Sequence, residues 1–165
     1  MRHISMMLGA LALFTISCAQ DTPTSASPRI TEAGWSFGFC LGPCRGELGI
    51  DGEALALRVT DRTGSQVLAQ NRGRLTSSGS ARLAGVGASL PAELLETYGC
   101  PDCADGGASF VTVARDSASR RTEYEYGNPP AELAAADSFL TAVMEALRDC
   151  RPTPEVTLEA GCTPI

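Results

Sequence analysis

At 165 residues the chain is long enough for one compact domain and short for two. It carries 13 basic against 19 acidic side chains, a net charge of −6, and so lacks the basic face that nucleic-acid phosphates demand. Every basic residue is an arginine and the one histidine is His3, which excludes lysine Schiff bases and Ser–Lys pairs outright.

The first residues, MRHISMMLGALALFTISCAQ, place Arg2 and His3 ahead of an apolar run from Met6 to Ile16. A bilayer span needs roughly 20 apolar residues, so this run is too short to cross, and its flanks fit a secretory signal peptide. The segment Phe14-Thr15-Ile16-Ser17-Cys18 resembles a bacterial lipobox, in which cleavage falls before a cysteine that becomes acylated. The other reading is an ordinary signal peptide with a coincidental cysteine. The resemblance implies residues 1–17 as a lipoprotein signal peptide and a lipidated Cys18. Ala19, in place of the Asp that favours inner-membrane retention in many Gram-negative bacteria, points to the outer membrane. Residues 18–29 then form a tether whose Ser, Thr and Pro content cannot support a core. Cleavage removes Arg2 and His3, leaving twelve arginines against 19 acidic residues, a net charge of −7 and no histidine. Ser-His-Asp and Cys-His nucleophile pairs and His-ligated zinc fall away with it.

From Ile30 the pattern is strand-like. RITEAGWSFGFC (29–40) sets Trp35, Phe37 and Phe39 at period two, on one face of a predicted strand. ELGI (47–50) and EALALRVTD (53–61) flank Asp51-Gly52, a hairpin signal, with Leu55, Leu57 and Val59 on one face. Thr63-Gly64-Ser65 predicts a turn before a strand over 66–75. Pro91 suits the first turn of a short helix over Ala92 to Thr97, stopped by Gly99. Two runs, 108–116 and 120–127, then predict a hairpin across Ser117 to Ser119, with Tyr124 and Tyr126 facing one way and Glu123 and Glu125 the other. A long helix is expected over 131–150, with Leu133, Ala136, Leu140, Val143 and Leu147 as an apolar stripe that Phe139 and Met144 widen. The tail, 151–165, is punctuated by prolines and predicted to lie on the surface, pinned by Cys162. The expected fold is α+β: an antiparallel sheet in two hairpin groups covered by the long C-terminal helix, forming one domain over 30–150.

Beyond Cys18 there are six cysteines: Cys40, Cys44, Cys100, Cys103, Cys150 and Cys162. An even number in an exported chain implies a disulfide framework, with fifteen pairings open. The sequence-local pairs Cys40–Cys44, Cys100–Cys103 and Cys150–Cys162 are the simplest, while a long-range pairing such as Cys40–Cys100 stays open. A thioredoxin-like role for Cys100-Pro101-Asp102-Cys103 is opposed by its context, because such motifs follow a strand and open a helix, and by Asp102 and Asp105, which would raise a thiol pKa. The alternative is a Cys₄ metal site of Cys40, Cys44, Cys100 and Cys103, permitted by spacing and opposed by the oxidising compartment. The favoured reading of YGCPDCADGG (98–107) is a disulfide-closed structural turn leading from helix to strand.

The combination of FGFCLGPC, YGCPDCADGG and YEYGNPPAEL resembles a group of uncharacterised bacterial exported proteins and lipoproteins, over Trp35 to about Cys150. It implies no activity. The order of elements alone is similar to small bacterial inhibitors of metalloproteases, and no site transfers from that likeness. The functional expectation is a non-enzymatic binding or structural module with no cofactor, held to the membrane by its lipid, with an envelope or secreted protein as partner. The alternatives are a metal- or thiol-binding protein, a protease inhibitor, and an acid–base hydrolase using Glu123 and Glu125.

Overall fold

A computed structural model describes residues 27–165. The signal peptide, Cys18 and most of the tether lie outside the described residues. Eight strands and two helices follow in order: β1 (Arg29–Ser36), β2 (Arg45–Asp51), β3 (Ala54–Thr60), β4 (Val67–Leu75), α1 (Ser77–Ser89), β5 (Thr97–Tyr98), β6 (Ala108–Arg115), β7 (Ala118–Glu125), α2 (Ala134–Arg148) and β8 (Val156–Leu158).

The fold is α+β, as expected, but the two hairpin groups are one sheet. Its strand order is β5-β7-β6-β1-β2-β3-β4-β8, antiparallel except for the β5–β7 pair. The junction is β1, which pairs with both β2 and β6, so the strand carrying Trp35 is central. The Asp51-Gly52 hairpin and the Thr63-Gly64-Ser65 turn stand where the sequence places them, with Gly52 and Gly64 at φ +58° and +74°. The predicted strand over 29–40 ends early, at Ser36. Trp35 packs against the core, whereas Phe39 stands in the following loop, 77% exposed.

Both helices cover one face. Leu55, Leu57 and Val59 of β3 meet Phe139, Leu140, Val143 and Leu147 of α2 in a single core, all 2% exposed or less. Burying each such side chain stabilises by roughly 1.5–3 kcal/mol. The helical stripe is thus as the periodicity predicts, but α2 is 15 residues, not a long helix, and it shares the face with α1. On the opposite face Phe110 is still 6% exposed, because the Arg121 guanidinium lies 3.5 Å over its ring.

Helix α1 replaces the one expected over Ala92 to Thr97. Thr76 caps it by accepting the Gly79 N–H at 3.2 Å, and Pro91 turns the preceding Leu90 to extended backbone. Gly79 has no Cβ because the Glu155 carbonyl of the tail occupies that space. Residues 90–96 need no helix: Arg115 donates to the Leu90 and Pro91 carbonyls, Arg120 to Leu94, and Thr122 to Leu95. Their backbone groups are satisfied by side chains of β6 and β7 instead.

The tail is more than a surface segment. Val156 is 1% exposed in the core, and β8 pairs with the end of β4. The buried Asn71 amide holds the chain beyond it, donating to the Leu147 and Thr163 carbonyls at 2.8 and 2.9 Å and accepting the Thr163 N–H at 3.0 Å.

Candidate functional site

Strand pairing brings the two cysteine-rich motifs together. Ser36 at the end of β1 faces Arg45 of β2 and Ala108 of β6, and Ala108 faces Glu125 of β7. The loops 37–44, 99–107 and 126–133 therefore emerge from the same end of the sheet.

The six described cysteines form three sequence-local disulfides, Cys40–Cys44, Cys100–Cys103 and Cys150–Cys162, with Cα–Cα separations of 5.7, 5.4 and 5.8 Å. The first closes loop 37–44, whose base is fixed by the Phe37 N–H donating to the Cys44 carbonyl at 2.9 Å and the Cys44 N–H to Thr60 at 3.0 Å. The second sits in a tight loop: Cys103–Asp105 form a 3₁₀ turn, and Gly99, Asp102, Asp105 and Gly107 all have positive φ. This loop leads from the two-residue strand β5 into β6, not from a helix. Gly107 is required twice over, at φ +81° and with the Phe37 ring where a Cβ would stand.

Two carboxylates tie the loops to each other and to the sheet. Asp102 Oδ1 accepts the Gly38 N–H at 3.1 Å, joining the two disulfide loops. Glu125 accepts the Cys100 N–H at 3.0 Å and an Asn128 amide N–H at 2.7 Å; the Asn128 bond and then the Cys100 bond lower its pKa. Glu123 pairs with Arg121 at 3.0 Å. Both glutamates of the hydrolase alternative are thus engaged on the open face of the sheet. In the disulfide state Cys40, Cys44, Cys100 and Cys103 have no thiolate to give a metal, and among the described residues no three His, Cys, Asp or Glu side chains are grouped as ligands.

Loop 37–44 divides two cavities. Its outer side carries Phe39 and Leu41, 77% and 100% exposed, over a shallow basin of about 720 Å³ reaching Asp61 and Thr63. Its inner side closes a cleft of about 170 Å³ against α2, walled by Trp35, Phe37, Pro43, Tyr126 and Met144. The Phe37 and Tyr126 rings meet edge-on at 4.8 Å. Arg148, at the cleft's rim, has its pKa raised chiefly by the hydrogen bond from its Nε to Asp149, at 2.8 Å.

No family model, curated protein or solved structure matches the chain. The sequence singles out the four cysteines of the cluster and names Asp102 and Glu125 in other roles, but it shows neither their bracing of the loops nor the cleft. Trp35, Ser109 and Glu145 come from β1, β6 and α2 and Tyr126 from the loop after β7, and no spacing in the chain signals that they meet.

Proposed function

We propose that the protein is a lipid-anchored, non-enzymatic binding module of the cell envelope, held at the outer membrane through Cys18, that docks a partner protein with the tip of loop 37–44. The observation that carries this reading is the exposure of Phe39 and Leu41 on a loop clamped at its base by a disulfide and braced by Asp102. Two large apolar side chains held out on a fixed backbone lose little conformational freedom on binding, which favours association. The tether enters at Arg29, and the loop leaves the other end of β1, roughly 25 Å away at about 3.3 Å per residue. The tip thus faces away from the point of attachment. The lipobox-like residues, the arginine-only, histidine-free mature composition and the disulfides all agree with an exported binding protein. A protease inhibitor is one form of this reading, since a pre-ordered apolar loop can occupy a protease cleft.

Two measurements test it. Mass spectrometry of the membrane-extracted protein, alkylated before reduction, should find lipid on Cys18 and the other six cysteines paired; an unmodified or absent Cys18 overturns the anchor. A photo-crosslinking residue at Leu41, introduced in living cells, should give discrete protein adducts that the same residue at Arg72 on the open face does not. Equal or absent adducts overturn the docking tip. Secreted proteases assayed with and without the protein then decide the inhibitor form.

A further inference from the structure

We infer that the cleft between loop 37–44 and α2 is a subsite for one uncharged sugar ring. At about 170 Å³ it is smaller than the roughly 300–1,000 Å³ of sites for drug-sized ligands, and it suits a single six-membered ring. Its walls are aromatic: Trp35, Phe37 and Tyr126. Its polar groups are Ser109, Thr141, Glu145 and Arg148. Ser109 decides the polarity of the ligand. It lines the cleft, and its hydroxyl makes no hydrogen bond to the described residues and still reaches solvent. A purely apolar ring in the cleft would cut that hydroxyl off from water and give it no partner in return, whereas a ligand hydroxyl would pair with it.

Charge narrows the class further. A cation in the cleft would face the Arg148 guanidinium, and an anion would face Glu145, with Asp149 beside Arg148. A neutral ring with an apolar C–H face and hydroxyls around its edge satisfies every group: the face lies on the aromatic walls, and the hydroxyls meet Ser109, Thr141 and Glu145. That is the chemistry of a pyranose, free or within a glycan. This site is separate from the loop tip and does not depend on the anchor, so it stands or falls apart from the docking reading.

Trp35 is the only tryptophan, so its emission reports on this cleft without a label. The test titrates the mature full-length protein, in a detergent without a sugar headgroup, with glucose, N-acetylglucosamine, their methyl glycosides, glucuronate and phenol. Glucose or N-acetylglucosamine should shift the emission saturably in the millimolar range, glucuronate should bind more weakly, and Ser109→Ala should weaken sugar binding about 5–10-fold. The Ser109 hydroxyl has no protein partner, so that variant folds as the parent does. Methyl glycosides binding as well as free sugars assign the site to glycans; loss on methylation assigns it to free sugars. The inference is overturned if no sugar shifts the emission at tens of millimolar, if glucuronate binds as tightly as glucose, or if phenol alone binds, which would make the cleft a seat for an aromatic side chain.

Discussion

The carboxylate of Asp102 accepts the backbone N–H of Gly38 at 3.1 Å, across 64 residues of sequence. Through that bond the loop closed by Cys100–Cys103 sets the base of the loop closed by Cys40–Cys44. Asp102 itself holds a left-handed backbone, at φ +58°. Asp102→Ala should destabilise the protein by about 1 kcal/mol and speed hydrogen exchange at the Gly38 amide. Asp102→Asn, which keeps an acceptor and tolerates a left-handed backbone, should leave both near the parent values. Equal exchange at Gly38 in the alanine variant would show that the two loops are held independently.

Glu125 is a second brace, and it titrates. Its pKa is lowered, so the stability it supplies is present above the ordinary carboxylate range, near 4.3, and is lost as the pH falls through its folded value. The Cys100 amide resonance should therefore shift in acid, with a midpoint below that of an exposed glutamate. Glu125→Gln should abolish that midpoint.

Tyr124 governs the alkaline side. Its hydroxyl donates to Asp137 Oδ1 at 2.7 Å, and burial, reinforced by that carboxylate, raises its pKa well above the ordinary phenol range. The folded state then holds a proton that the unfolded chain releases above pH ~10. Stability is complete below that point and falls by about 1.4 kcal/mol per pH unit above it. Denaturant unfolding of Tyr124→Phe should show this slope reduced, together with a loss of about 1 kcal/mol at neutral pH for the missing hydrogen bond.

Asn71 is the clasp of the C-terminal segment. Asn71→Ala removes three hydrogen bonds and strands the buried Leu147 carbonyl, so it should cost roughly 2–4 kcal/mol. Limited proteolysis should then cut within 151–165 while the sheet and α2 survive. A variant cut no faster than the parent would place the hold on the tail in the Cys150–Cys162 disulfide, the β4–β8 pairing and buried Val156 instead.

Much of the architecture was legible where pattern is local. The alternation of Leu55, Leu57 and Val59, the Asp51-Gly52 hairpin and the 3-4 spacing in α2 each carry their own signal, and each stands in the structure. Helix α1 was not legible, because its glycines lower helix propensity and two of them are explained only by distant backbone, Glu155 against Gly79 and Pro28 against Gly87. The sequence also gives no hint that residues 90–96 draw their hydrogen-bond partners from Arg115, Arg120 and Thr122. The local disulfides are the simplest of the fifteen pairings the sequence leaves open, and the structure has them. Their joining through Asp102 did not, since a single long-range bond leaves no periodicity to find.

The outermost strands of the sheet are its shortest, two residues in β5 and three in β8, while the strands they flank run to eight and nine. One further backbone bond extends each margin, with Glu96 accepting the Glu123 N–H and Arg72 accepting the Glu159 N–H. Each outermost strand is itself too short to template a long ladder on a neighbouring copy. Crowding many copies into a plane, as any two-dimensional tethering does, multiplies chance edge encounters. Outermost strands of two and three residues lower what each such encounter can gain in ladder hydrogen bonds.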